Sequence, residues 1–192
     1  MRRIMVKLVL VCIIGAVLLC TLSLCNAARR GDEQMETVDM GVTATRTFCR
    51  YPVPLSDDIQ QHIITTAVER GISPALVMAI IQRESNFDPG KIGDDGNSFG
   101  LMQIYANQHT DRCVRLNAVN LLDPYQNIRV GVDILAELMG HGKSLSWVLM
   151  AYNGGMSYAG QMAADGNVSS YATQVMALSE QIAEGVMVVT AE

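Results

Sequence analysis

Glu84 is the residue with the most chemistry to offer. It closes a segment, Ser73-Pro74 to Ser85, in which Leu76, Val77, Ile80 and Ile81 recur at helical spacing. Proline at the first helical position is pre-set for such a start. On that helix Glu84 falls three and four residues beyond Ile81 and Ile80, on the same apolar face. A carboxylate there is drawn out of water. In the last turn it also meets the negative end of the helix dipole. Both effects raise its pKa and favour the protonated form near neutral pH. A carboxyl that keeps its proton in an apolar cleft is suited to general-acid chemistry. The competing reading is a structural Glu that caps a loop or pairs with an Arg. Arg83 is adjacent in sequence but points about 100° away around a helix.

Glu84 must be held by the elements around it, and these read as helical. Ser56 is an N-cap for a helix over residues 57–70, with Ile59, Ile63 and Val68 apolar and Gly71 as its stop. Residues 86–98 form a loop rich in Gly, Asp and Asn. A short helical turn is expected around residues 101–105. Asp123-Pro124 caps a long helix to about Met139, with Ile128, Val132, Leu135 and Met139 on one stripe. Further helices are expected over 144–152, 156–164 and 171–183, the first two separated by Gly154-Gly155. No alternating strand pattern is visible. The expectation is an all-α domain over residues 51–192, preceded by a linker over 28–50 that is polar and acidic.

Residues 1–27 read as an address. Arg2, Arg3 and Lys7 precede an unbroken apolar stretch from Leu8 to Cys25, and Asn26-Ala-Ala28 follows. Cleavage after Ala27 would make this a signal peptide. Left uncut, residues 8–25 are near the minimum for a membrane anchor. Either way the rest of the chain is exported, to the cell envelope or beyond. Removing residues 1–27 takes away three basic residues and no acid, leaving a formal charge of −8. Such a balance argues against nucleic acid as a partner, which needs clustered Lys and Arg. Three of the five cysteines also lie in residues 1–27, leaving Cys49 and Cys113. These two either pair, for a gain of about 4 kcal/mol in the chain-entropy model, or stay as free thiols. Two Cys and three scattered His are too few for a metal site.

Four stretches, in order, give Glu84 a context. They are Glu84-Ser85, then Ser98-Phe-Gly-Leu-Met-Gln-Ile104, then Leu121-Leu-Asp-Pro-Tyr-Gln-Asn-Ile128, then Ala151-Tyr-Asn-Gly-Gly155. Together they resemble the soluble lytic transglycosylase family of lysozyme-like, peptidoglycan-cleaving domains, over about Ile59 to Val175. The resemblance implies a lysozyme-like helical fold with Glu84 as sole catalytic acid/base. It puts Met102 and Gln103 in the wall of the glycan cleft and makes Tyr152 the tyrosine that faces Glu84, with Asn153 in the same motif. Ser98 is expected to offer a hydrogen-bonding group nearby. Leu121, Leu122, Asp123, Pro124 and Asn127 are expected to be structural. Tyr171 matches a family tyrosine, but the Glu-Thr pair that commonly precedes it is missing from Asn167-Val-Ser-Ser-Tyr171. That leaves contact with the substrate's peptide stem open.

The resemblance further implies cleavage of the MurNAc–GlcNAc bond with closure of a 1,6-anhydro ring, no metal and no cofactor. Its partners would be peptidoglycan strands. General wall remodelling, phage-type wall penetration and local wall opening for an envelope-spanning secretion or conjugation apparatus would all use such a domain, and a short exported domain fits the last. Two rivals stand beside it. A hydrolytic lysozyme on the same fold would use Asp94 or Asp95 to position water, although Gly and Asn around them favour a solvated turn. A glycan-binding assembly factor would need no intact Glu84.

Overall fold

A computed structural model of the chain describes residues 46–191. The expected export segment, residues 1–27, and most of the expected linker lie outside the described residues. The last five linker residues do not. They form strand β1, Arg46–Arg50, which pairs antiparallel with β5, Met187–Ala191, near the other end of the domain. The linker expectation at 46–50 and the absence of strands are corrected here. The register sets Phe48 opposite Val189 and Cys49 opposite Val188. Such a pairing has no local signal, because its partners are far apart in sequence.

Among the described residues, six helices build the body. Helix α1, Asp57–Glu69, starts where the Ser56 hydroxyl accepts from the Ile59 amide at 3.4 Å. Buried Gln60 ties down the preceding segment. Its Oε1 accepts from Tyr51 N at 2.8 Å, and its Nε2 donates to Leu55 O at 3.0 Å. Ile63 and Ala67 face the core, while Val68 is exposed.

Helix α2, Pro74–Ser85, is the centre of the domain. Every residue from Ala75 to Ile81 is buried. A helix apolar on all sides is one surrounded by others, and the one-faced helix read from the sequence is therefore an understatement. It packs chiefly against α6, Ser170–Glu184, and also against α1. It ends at Asn86, whose φ of 52° is the left-handed cap that Asn tolerates.

Between α2 and the later helices lies a small three-stranded sheet: β2, Ile92–Gly93, β3, Ser98–Phe99, and β4, Ile104–Tyr105. The helical turn expected at 101–105 is instead the hairpin turn between β3 and β4, running into β4 at Ile104. A 3-10 turn, Ala106–Gln108, leads into α3, Thr110–Arg115. Helix α4, Pro124–Gly140, opens with the Asp123 carboxylate accepting from Gln126 N at 2.9 Å. Helix α5, Leu145–Ala164, breaks at Gly155, as the Gly-Gly pair foretold. The φ of 85° and ψ of 161° there suit glycine alone. Among the described residues, no helix is long and apolar enough to cross a membrane.

Candidate active site

Glu84 sits in the last turn of α2, above the buried Ile80 and Ile81. The α2–α6 packing brings Tyr171, in the first turn of α6, onto it. The Tyr171 hydroxyl donates to Glu84 Oε1 at 2.5 Å. The turn is fixed by Ser169, whose hydroxyl accepts from Ala172 N at 3.2 Å. Burial pushes the Glu84 pKa up. The Tyr171 hydrogen bond and the charges of Arg83 and Lys91 pull it back only in part, and Asp94 adds to the rise. The Tyr171 phenol is itself pushed up, first by burial and then by the charge of Glu84, so it remains a donor.

The resemblance had Tyr152 facing Glu84; the direct contact belongs to Tyr171. The Tyr152 hydroxyl donates instead to Met102 O at 2.9 Å. Tyr152 stays close enough that the charge of Glu84, after burial, raises its pKa. It is a packed neighbour that joins α5 to the Gly-Leu-Met-Gln segment.

That segment is a backbone device. Gly100 has φ of 75°, and a Cβ there would overlap the Leu121 carbonyl and the Asn127 amide. Asn127 is fully buried on α4. Its Nδ2 donates to Phe99 O and Leu121 O, both at 2.8 Å, and its Oδ1 accepts from Met102 N at 2.8 Å. One side chain thus holds both sides of the turn, the structural role expected of Asn127. Met102 was expected in the cleft wall, and the structure corrects this. It is buried with its sulfur against Gly131 of α4, where a Cβ would leave it no room. Gln103 does reach the cleft, but its Nε2 is spent on Gly100 O at 2.9 Å and Lys91 O at 3.1 Å.

Glu84 opens into a cleft of about 790 Å³. Ser98, Gln103, Tyr152, Asn153 and Tyr171 line it with Glu84, so six of the seven residues singled out in the sequence meet there. Sequence reasoning set Arg83 aside as pointing away, though it lines the cleft, and missed Lys91 and the wall residues Tyr105, Gln108, His109 and Arg112. The Lys91 ammonium donates to the Glu84 carbonyl at 2.5 Å. No helical spacing marks the wall residues, because they run from a strand end through a 3-10 turn into α3. Asp94 and Asp95 are exposed at φ of 49° and 53° in a tight turn. Asp94 also lines the cleft and accepts from the Ser98 hydroxyl at 2.5 Å. Cys49 is exposed on β1 and Cys113 partly buried on α3, and both are free thiols. Among the described residues, no three His, Cys, Asp or Glu side chains gather where a metal could sit.

The family described as Transglycosylase SLT domain matches residues 61–173. The fold is similar to that of the 70 kDa soluble lytic transglycosylase of Escherichia coli, with 21% identity and a TM-score of 0.55 over 66% of this chain and 24% of that one. It is also similar to an inactive mutant of the lytic transglycosylase Slt of Pseudomonas aeruginosa, with 19% identity and a TM-score of 0.51 over 69% and 23%. A third similar structure is a 70 kDa soluble lytic transglycosylase in complex with bulgecin A, with 20% identity and a TM-score of 0.50 over 69% and 23%. The chain therefore spans about a quarter of the length of these proteins. At such identities the likeness carries the fold, which is the lysozyme-like helical fold expected.

Proposed function

The chain belongs to the Transglycosylase SLT domain family, and from that premise we propose that it is a peptidoglycan lytic transglycosylase with Glu84 as its single acid/base. The observation that carries the reading is the state of Glu84: a half-buried carboxyl in a cleft, bonded to a phenol and biased toward its protonated form.

The chemistry balances with one carboxyl. Glu84 gives its proton to the glycosidic oxygen between MurNAc and GlcNAc, and the bond from that oxygen to MurNAc C1 breaks. GlcNAc leaves with a free 4-hydroxyl. The acetamido oxygen of MurNAc steadies the cationic centre. Glu84, now a carboxylate, takes the proton from the MurNAc C6 hydroxyl, and O6 bonds to C1. A 1,6-anhydro ring closes, no water is consumed, and the enzyme is returned to its starting state. The Tyr171 hydroxyl strengthens its hold on the carboxylate midway and so makes proton loss easier. The internal hydroxyl outcompetes water because its effective concentration can reach about 10⁵ M or more.

Mass spectrometry of muropeptides released from purified sacculi tests this. Anhydro ends are expected. Reducing MurNAc ends would support the second reading, hydrolysis, which one observation favours: Asp94 shares the cleft with Glu84. We also place the enzyme outside the cytoplasm, on the strength of residues 1–27, with local wall opening for a secretion or conjugation apparatus as one use of it beside general wall remodelling and phage-type wall penetration. Fractionation of cells would overturn the first part if the intact protein were found only in the cytosol.

A further inference from the structure

Glu84 is held by its backbone as well as by its carboxyl, and the backbone partner is a cation. The last carbonyls of a helix find no partner within it. At the end of α2 the Gln82 carbonyl accepts from Asn86 N at 3.0 Å, and the Ser85 carbonyl accepts from Asp88 N at 3.2 Å. The Glu84 carbonyl accepts from the Lys91 ammonium. A cation at this end of a helix also meets the negative end of its dipole. The two residues meet because the chain reverses between them. Asn86 and Phe87 both have left-handed backbone, at φ of 52° and 66°. Non-glycine residues stay in that region only where their surroundings over-determine them, and Phe87 packs against the core. Asp88 then closes a tight turn. Its carboxylate accepts from Gly90 N at 2.8 Å and its carbonyl from Lys91 N at 3.3 Å.

Lys91 is fixed at its other end too. Its carbonyl accepts from Gly100 N at 2.8 Å and from Gln103 Nε2 at 3.1 Å. Both donors belong to the turn that Asn127 braces. The backbone of Lys91 thus stands on the Gly-Leu-Met-Gln turn, and its ammonium stands on the last turn of α2. Among the described residues, no other side-chain hydrogen bond joins α2 to the segment from Lys91 to Tyr105. The side chain also lines the cleft, so its charge is felt there. The groups that face the Glu84 carboxyl come from every side. Tyr171 of α6 bonds it, and Tyr152 of α5 lies near it. Arg83 and Lys91 bring positive charge that favours the carboxylate, and Asp94 brings negative charge that opposes it.

We infer that Lys91 is a positioning residue for the cleavage reaction: its ammonium ties the Glu84 turn to the Gly100–Gln103 turn and so fixes where the carboxyl stands over the cleft. The inference rests on the proposed function, in which Glu84 moves the proton. Lys91 bonds the backbone of Glu84 and none of the reacting atoms, so it acts through Glu84. A general acid must stand within hydrogen-bond reach of the oxygen it protonates. A misplacement of about 1 Å can cost about a hundredfold in rate. A tie from the helix end to the opposite turn guards against that, and its charge steadies the carboxylate formed midway.

Lys91→Met in the full chain keeps the apolar stem and removes both the donor and the charge. On soluble glycan strands kcat should fall about tenfold while KM stays within about twofold, the split expected when the reacting group is misplaced and binding is not. The alkaline limb of the pH–rate profile should move to higher pH, because a positive charge near Glu84 is gone. Lys91→Arg restores a donor and a charge, and should recover most of kcat and return the limb. If Lys91→Met does not fold, Lys91→Gln takes its place with the same split and the same shift expected. NMR titration of the carbon-13-labelled Glu84 carboxyl, which needs no activity, should show a higher pKa in the uncharged variant. A folded variant with unchanged kcat and limb, an unshifted titration, or a raised KM with kcat held would overturn the positioning role while the activity of the wild type upholds the proposed function. A wild type that cleaves no strand would overturn that function, and with it the reaction that Lys91 serves, whatever the titration shows.

Discussion

Helices draw two carboxylates out of water in this domain, and their fates differ. Glu84, at the end of α2, meets a phenol and no cation at hydrogen-bond distance from its carboxyl. Asp133, midway along α4, meets three arginines. Burial raises the pKa of both. At Glu84 burial wins. At Asp133 the bonds from Arg115 and Arg70 and the charges of Arg115 and Arg112 outweigh it and hold the carboxyl below its usual range. A buried acid without a cation keeps its proton and can spend it on a substrate; a buried acid among cations becomes a strut.

The comparison breaks most severely at Glu84. Glu84→Gln keeps the shape and removes the transferable proton. Wall cleavage should fall by about two orders of magnitude or more, the scale of general-acid loss, while the melting temperature holds or rises. The pH dependence follows the raised pKa. Activity should fall as pH rises through it, because the acid step needs the protonated form. A well-folded Gln variant that still cleaves would remove Glu84 from the role.

Asp133→Asn should do the converse. It leaves the cleft chemistry in place and takes the charge from under three guanidinium groups. Breaking a buried pair costs about 3–5 kcal/mol, and the lower end is expected because Arg70 and Arg115 are substantially exposed. Denaturant unfolding measures it. The pH sign is also opposite. A depressed pKa means that Asp133 contributes stability above its unfolded pKa and loses it as pH falls through the folded one. Glu84, raised, destabilises the fold as pH climbs from its unfolded pKa toward its folded one. The wild type should therefore lose more stability in acid than Asp133→Asn does.

Tyr171→Phe probes the phenol that distinguishes the first site. Its bond favours the charged form of Glu84. Removing it should move the alkaline limb of the pH–rate profile upward and lower kcat by up to about tenfold. A limb that stays in place would mean that Tyr171 packs beside Glu84 without tuning it.

Much of this was legible because local chemistry announced it. Ser56 and Asp123 each cap the helix they precede, and Gly155 breaks α5 where two glycines stand. Glu84 was conspicuous as an acid on an apolar face. Asp133 carries the same signal, among Val132, Ile134 and Leu135, and went unread. What stayed hidden was set by tertiary contact. Strands of two residues are too short to show alternation, and β1 finds its partner across the whole domain. Met102 is drawn inside by the absence of a side chain at Gly131, which lies 29 residues away in sequence. Whether Tyr152 or Tyr171 meets Glu84 depends on how α5 and α6 pack, which no spacing within either helix fixes.

The smallest effect is expected at Asp94 and Asp95, and it decides how far Glu84 acts alone. Asp94 lines the cleft and its charge helps to raise the Glu84 pKa, so it is the one carboxylate placed to rival the internal nucleophile. Yet it is exposed, sits in a turn at positive φ and gives an oxygen to the Ser98 hydroxyl. A base of that kind is already solvated and engaged, and gains little by activating a water. Asn supports left-handed backbone as well as Asp does, and its carbonyl can still accept from Ser98. Asp94→Asn with Asp95→Asn should thus leave the rate within about threefold and the anhydro ends unchanged. Loss of the charge should lower the Glu84 pKa slightly, moving the alkaline limb down, opposite to the shift in Tyr171→Phe. A dead double variant, or one whose wild-type parent yields reducing ends, would make the second carboxylate a reagent and the protein a hydrolase.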